Sequence, residues 1–386
     1  MIDYYAEQTQ TKPVSRREKH RDIIFPSVFS FIEAPDEALS VLRDLVRFVA
    51  AQKTEVIGIQ QQDCTLIDLC AESVASVLGL EANKNLKVGF RGVFPSARNE
   101  REIILATGLP KRLGVPLPEP EGFLTFELYR GRKVSESAFA SSPREVQADR
   151  MTRYVNECLA RYGFSMSQEI AGYLASLVGE VIGNAEDHSS MGGWWIAAYL
   201  HQASDAAYGD CHITIFNFGK TLSETLQELP LDALLRRNID ALVETHTRLR
   251  FFGPTWTVEN LWTLYALQEG VSRYNVEVNS LGYRGYGTVD MIEFFQRLGQ
   301  SPQSQPRMCV VSGRTHIAFD NRYHQMRPQV TQSGETRRII AFNKDNNLEQ
   351  PPEAGYVKQL RHFFPGTLIG LRFYLDKRHL RATGGA

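Results

Sequence analysis

Residues Leu177–Ser190, "LVGEVIGNAEDHSS", begin as an apolar helix and end by loading Glu180, Asn184, Asp187 and His188 onto one side. The helical pattern runs from Met166 to His188, and Ser165–Gln168 fits S-x-x-Q, the expected capping box. At about 100° per residue, Ile170, Leu174, Leu177, Val178, Val181, Ile182 and Ala185 share one broad arc, and the polar stripe adjoins it. One reading of the stripe is a solvated face. The other is a ligand edge. Residues at i and i+4 stand about 5–6 Å apart, so Glu180 and Asn184 are spaced to hold one object, and small Gly183 and Ala185 let it approach. An amide oxygen beside a carboxylate suits a Mg2+ ion and a water to be activated; Mg2+ takes hard oxygen ligands and usually shares its shell with phosphate.

Downstream, three segments fit the same object. "CHITIFNFGKT" (211–221) is a strand ending in Asn217 and Gly219, a polar side chain placed to meet a base edge. "LGYRGYGTVDMIEFFQRLG" (281–299) sets Gly282, Gly285 and Gly287 around Arg284 and leads into a helix. Glycine permits close backbone approach, and a helix N-terminus attracts phosphate. "FPGTLIGLRFYL" (364–375) puts Gly366 and Thr367 at the head of a strand. The segment 220–270 between them reads as a helical excursion, and further strands are expected near 194–200, 308–319 and 338–343.

This order of motifs resembles the GHKL ATPases, the superfamily of gyrase, the ninety-kilodalton heat-shock chaperones, mismatch-repair ATPases and histidine kinases. The resemblance covers roughly residues 150–376. The N box, E-x-x-x-N-A-x-x-H, is matched by Glu180, Asn184, Ala185 and His188. The D-x-G-x-G box is matched in part: Asn217 stands where the adenine-reading aspartate belongs, Gly219 follows, and Thr221 replaces the second glycine. The phosphate-wrapping box falls on Arg284, Gly285, Tyr286, Gly287 and Thr288, and the G-T box on Gly366 and Thr367. The resemblance implies a Bergerat fold, an α/β sandwich binding ATP and Mg2+ under a lid. It implies that Asn184 ligates Mg2+, that Glu180 polarises the attacking water if hydrolysis occurs, and that Asn217 and Thr367 read adenine. Ser272 and Arg273 would reach the phosphates on lid closure. The segment before Ser165 has no histidine on a dimerisation helix, so a histidine kinase is not expected.

Upstream, helices alternate with short apolar strands ("DEALSVLRDLVRFVAAQ", "TEVIGIQ", "LIDLCAESVASVLGL", "LKVGFRGVF", "ARNEREIILATGL"), an α/β layer pattern. This unit resembles a STAS domain, the anti-sigma-antagonist module. Asp68 fits its motif aspartate, while Leu69 and Cys70 stand at the phosphoacceptor positions, so the resemblance implies a docking surface without a phosphorylation switch. A plain α/β domain packed on the ATPase is the other reading. The expected organisation is a flexible arm (1–24), a STAS-like domain (25–115), a linker or hairpin insertion (116–149) with one strand-like piece, "FLTFELYR" (123–130), and the GHKL ATP-binding domain (150–386).

Composition bounds the rest. Hydrophobic residues make up 43% and charged residues 23% of 386, which supports real cores and more than one domain. A net charge of −1 gives no global field for nucleic acid or membrane. Arg16, Arg17, Lys19, His20 and Arg21 read as a solvated arm, and Arg314, Arg327, Arg337 and Arg338 as charges of a hairpin region. The odd count of five cysteines without C-x-x-C reads as buried free thiols in a reducing compartment. With no apolar leader and no spanning run, a soluble cytoplasmic protein is expected. There is no H-E-x-x-H and no G-x-S-x-G. The functional expectation is an Mg-ATP-binding protein, an ATPase whose lid closure signals to a protein partner, a second copy or its own N-terminal domain. The alternatives are a non-hydrolysing nucleotide-binding or scaffold module, and an anti-sigma-type serine/threonine kinase.

Overall fold

A computed structural model describes residues 1–14, 18–50, 54–133, 142–202, 208–248, 257–268, 287–301, 304–323, 327–330 and 336–382. The chain opens with α1 (Ile2–Gln8), β1 (Glu18–Ile24), β2 (Val28–Phe29), α2 (Pro35–Ala50), β3 (Thr54–Gln60), β4 (Leu66–Ile67), α3 (Leu69–Leu86), β5 (Gly89–Val93), α4 (Arg98–Thr107) and α5 (Leu109–Arg112). Strands β1, β3 and β5 form a parallel sheet in that order. In α2 the residues Leu39, Leu42, Leu45, Val46 and Val49 recur at helical spacing, and all are buried. Helix α3 starts at Asp68 because its Oδ1 accepts the Ala71 N–H at 2.7 Å. Oδ2 of the same carboxylate takes the Ser30 hydroxyl at 2.5 Å and the Ile32 N–H at 3.0 Å. Asp68 is thus a structural cap, and Leu69 and Cys70 are buried behind it.

The second half comprises β6 (Phe123–Gly131), α6 (Pro143–Ala160), α7 (Gln168–Asp187), β7 (Ser189–His201), β8 (Tyr208–Gly219), α8 (Leu222–Gln227), α9 (Leu234–Arg248), α10 (Val258–Ala266), α11 (Gly287–Leu298), β9 (Arg307–Phe319), β10 (Arg327–Val330), β11 (Thr336–Ile339), β12 (Val357–Asp376) and α12 (Lys377–Ala382). Its sheet has five strands, all antiparallel, in the order β6-β7-β8-β12-β9. With both sheet types and flanking helices, the chain is of the mixed α/β class.

Alternation along β8 assigns its faces. Ile213 and Ile215 join the core built by α6, α7 and α11. Phe216 and Phe218 face the other way, into a second core shared with α1, α2 and α3. Trp195, Val311, Phe364 and Leu368 complete that wall. The N-terminal half therefore covers the back of the five-stranded sheet rather than standing apart from it.

Several expected boundaries differ. The arm over 1–24 is folded: Ile2 and Tyr5 of α1 are buried, and His20 and Arg21 lie in strand β1. His20 pairs with Asp22 at 2.8 Å and the Arg21 guanidinium lies over the Phe48 ring, so these charges are engaged. Arg16 and Arg17 lie outside the described residues. Within the expected linker or hairpin insertion over 116–149, the strand-like run "FLTFELYR" is strand β6, but it joins the five-stranded sheet as an edge, and α6 already begins at Pro143. Helix α7 is capped by Ser167, whose hydroxyl accepts the Ile170 N–H at 3.2 Å, not by Ser165. The Met166 N–H is held at 2.8 Å by Asn156 Oδ1, which keeps it out of the helix. Cys64, Cys70, Cys158, Cys211 and Cys309 are all buried free thiols. Among the described residues no helix is long and apolar enough to cross a membrane.

Candidate functional site

Of the residues singled out by sequence, Gly287, Glu180, Asn184, His188, Gly219, Asn217, Gly366 and Thr367 are linked by contacts running from α11 to β12. Gly287, the first residue of α11, packs so closely on Glu180 that a Cβ there would stand 2.8 Å from the Glu180 Cβ. One turn on, Asn184 projects from α7 and is exposed. Glu180 and Asn184 line a groove of about 390 Å3 between α6 and α7, together with Arg144, Asp149 and Asp187. Asp187 is drawn toward Lys133, whose Nζ lies 2.7 Å from its Oδ1. His188 ends the helix, with its Nδ1 3.4 Å from the Thr225 hydroxyl of α8.

At His188 the helix meets the sheet. The Lys220 N–H donates to the His188 carbonyl at 3.0 Å, and a Cβ on Gly219 would collide with that same carbonyl oxygen. Glycine at 219 is therefore what lets the end of β8 close on the end of α7. Two residues back, Asn217 shares the face of Ile213 and Ile215 and thus points to the α7 side. Its register neighbours are Trp194 on β7 and Thr367 on β12. The Thr367 hydroxyl lies 3.0 Å from the Ser312 hydroxyl, which also donates to the Gly366 carbonyl at 3.0 Å and accepts the Leu222 N–H at 2.9 Å. Gly366 has φ of 150°, and a Cβ there would collide with the Asn217 carbonyl. A non-glycine residue at 366 is strained on both counts.

Asn217 is the chemically unusual member. It is fully buried, and among the described residues neither its Oδ1 nor its Nδ2 has a hydrogen-bond partner. Leaving one buried polar atom unpaired costs on the order of 1–3 kcal/mol, and both ends of this amide are in that state. A planar group offering one donor and one acceptor would satisfy both ends, which is the pattern of an adenine edge.

Helices α8–α10 stand over the sheet as a separate small cluster containing Leu226, Leu229, Val243, Leu261, Trp262 and Tyr265. Their base is fixed. Asn260 Nδ2 donates to the Thr315 hydroxyl at 2.9 Å, Glu259 Oε1 accepts the Arg314 N–H at 2.7 Å, and Gln268 exchanges hydrogen bonds with the Ile340 backbone at 2.9 and 3.0 Å. Burial raises the Glu259 carboxyl above the usual carboxylate range. Arg284, Gly285 and Tyr286 lie outside the described residues, as do Ser272 and Arg273. Thr288 follows Gly287 in the first turn of α11 and is half-buried.

Sequence reasoning passed over two residues. Ser312 fastens Thr367 and Gly366 to α8, yet a lone serine in an apolar strand carries no signal. Arg144 lies against Gly183, with its Nη1 2.8 Å from where a Cβ would stand, and brings a cation to the Glu180–Asn184 groove. Its signal was present: Ser142 and Glu145 form a capping box around it, in a stretch read as linker.

No family model, no curated protein and no solved structure matches the chain.

Proposed function

We propose that the C-terminal half binds Mg-ATP on the α7 side of the five-stranded sheet as a GHKL-type ATPase, and that lid closure passes the nucleotide state to the N-terminal half. The observation that carries this reading is Asn217, a buried amide with both polar atoms unsatisfied among the described residues, in register with Thr367, which lies mid-way along β12 rather than at the strand head expected from sequence. Supporting it is the continuity from Asn217 through Gly219 and His188 to Asn184 and Glu180, and on to the start of α11 at Gly287. Helices α6, α7 and α11 on the Asn217 face, with α1 to α3 on the other, leave the arrangement compatible with an α/β sandwich.

In this reading Asn217 and Thr367 hold the base, and the first turn of α11 presents backbone N–H groups to phosphate. Asn184 supplies a side-chain oxygen to Mg2+. Among the described residues no cluster of three histidine, cysteine or carboxylate side chains forms a metal site, so the remaining ligands would come from phosphate and water. When bound, the ion would neutralise phosphate charge. Glu180 lies on the same helix face one turn away and accepts the proton of a water set against the terminal phosphate. Arg144 adds positive charge beside this pair.

The route to the N-terminal half runs along β12. Asp36 of α2 accepts the N–H groups of Arg361 and His362 at 2.7 and 3.2 Å, a few residues before Gly366 and Thr367. Between these points β12 carries two register shifts against β9, a natural place for the strand to adjust.

Thermal unfolding with and without Mg-ATP tests the assignment, because a ligand that binds the folded state raises the melting temperature. The wild-type chain is expected to show a rise with ATP plus Mg2+, larger than with GTP, and Asn184→Ala to show none. A wild-type chain indifferent to Mg-ATP at millimolar concentration would refute it.

A further inference from the structure

A second cavity lies far along the chain from these motifs, in the N-terminal half. It encloses about 240 Å3 and is walled mainly by apolar side chains. Phe25, Phe90 and Phe94 supply aromatic walls, Leu45 and Ala75 come from α2 and α3, and Leu109 with Pro110 closes one side. Its position follows a general rule. Ile23 and Phe25 stand at the end of β1, Ile59 and Gln61 at the end of β3, and Val93 and Phe94 at the end of β5. The cavity thus sits at the carboxyl edge of a parallel sheet, where open α/β sheets take their ligands. Its mouth is open: Val93 and Val115 line it and are 47% and 45% exposed.

One carboxyl is built into this apolar chamber. Glu72 of α3 lines the cavity and is 3% exposed. Its Oε1 accepts the Leu109 N–H at 3.0 Å and the Ser76 hydroxyl at 3.2 Å, which fixes the carboxyl plane. Both bonds fall on the same oxygen. Arg112, whose charge reaches Glu72, is held by other groups: its Nε donates to the Thr107 carbonyl at 3.0 Å and its Nη1 leans toward Glu127. Arg91, at the rim, is paired with His20 and Asp22. Among the described residues the buried carboxyl therefore has hydrogen-bond donors and no ion-pair partner. A cation entering the cavity supplies that partner in the same low-dielectric space.

We propose that this cavity is a binding site for a small arylalkylamine, with its ring among Phe25, Phe90 and Phe94 and its ammonium on the carboxylate of Glu72. The volume sets the size: at about 30 Å3 per displaced water the space equals roughly eight waters, enough for on the order of ten non-hydrogen atoms. Aromatic walls favour a ring and add cation–π attraction for the ammonium. The site is independent of the nucleotide reading.

The test is calorimetric titration of the full chain at pH 8 with 2-phenylethylamine, phenylacetate and indole, which share an aromatic body and differ in charge. Phenylethylamine is expected to bind at least tenfold more tightly than the other two. Glu72→Gln keeps an acceptor for Leu109 and Ser76 and removes the charge, and is expected to weaken phenylethylamine at least tenfold while leaving indole unchanged. Val115→Lys, an exchange at an exposed rim position, is expected to weaken the amine severalfold in a chain that is otherwise unaltered. Equal affinity for the amine and for phenylacetate, or undiminished amine binding by a folded Glu72→Gln, overturns the proposal. Indole binding more tightly than the amine overturns it too, in favour of a neutral ligand.

Discussion

Glu72 makes a sharp prediction about stability. Burial raises its carboxyl from 4.5 to about 7, an effect only partly offset by the Leu109 N–H, the Ser76 hydroxyl and the distant Arg112. The unfolded chain releases this proton near the ordinary value, whereas the folded chain keeps it until about pH 7. Stability from this residue is therefore fully present below pH 4.5 and is lost as pH rises through 7. The separation corresponds to about 3 kcal/mol. Glu72→Gln does not titrate. Relative to wild type it should gain about 3 kcal/mol between mildly acid pH and pH 8. With unfolding entropy near 2.1 cal/mol/K per residue, that is a shift of about 4 °C in melting temperature for a chain of 386 residues. Urea unfolding of both proteins at several pH values between 5 and 8 measures the difference directly. Parallel stability profiles across that range would show that the carboxyl ionises as freely in the folded chain as outside it, and the reasoning would fail.

Other consequences concern the C-terminal half. Asn217→Leu removes a buried amide with no partner, so the ligand-free chain should become more stable by about 1–3 kcal/mol, while the melting-temperature rise with Mg-ATP disappears. Calorimetry with and without nucleotide separates these opposite effects, and a destabilised variant that still binds ATP would contradict the role given to the amide. Glu180→Gln is expected to bind Mg-ATP with near wild-type affinity and to release phosphate at least a hundredfold more slowly; unchanged turnover removes its role as proton acceptor. Gly366→Ala forces a side chain toward the Asn217 carbonyl at φ of 150° and should cost about 1–3 kcal/mol in urea unfolding.

The parts of the fold written in local periodicity were legible. The arc from Leu174 to Ala185 gave the core face of α7, and runs such as His212–Phe216 gave strands. What escaped depends on partners distant in sequence. Strand β6 was legible as the strand-like run "FLTFELYR", but its place at the edge of the five-stranded sheet was not, because its partner β7 lies some seventy residues away. Strand β1, "EKHRDII", reads as charged and arm-like because it is a sheet edge, where charge is tolerated. Helix α1 is too short for a periodic signal to build up. In the candidate site, the i, i+4 pair of Glu180 and Asn184 was visible in one helix turn. The unsatisfied state of Asn217 was not, since burial and the lack of a partner are properties of the assembled sheet.

The aromatic wall on the back of the five-stranded sheet has an evolutionary and practical consequence. Trp195, Phe216, Phe218 and Phe364 are wet the moment the first hundred or so residues are cut away. A gene fragment starting near residue 116 would encode a plate with one greasy side, prone to clump in the test tube and in the cell. Recombination that exchanges the leading half has to deliver a replacement of matching shape in the same event, or this face is left bare.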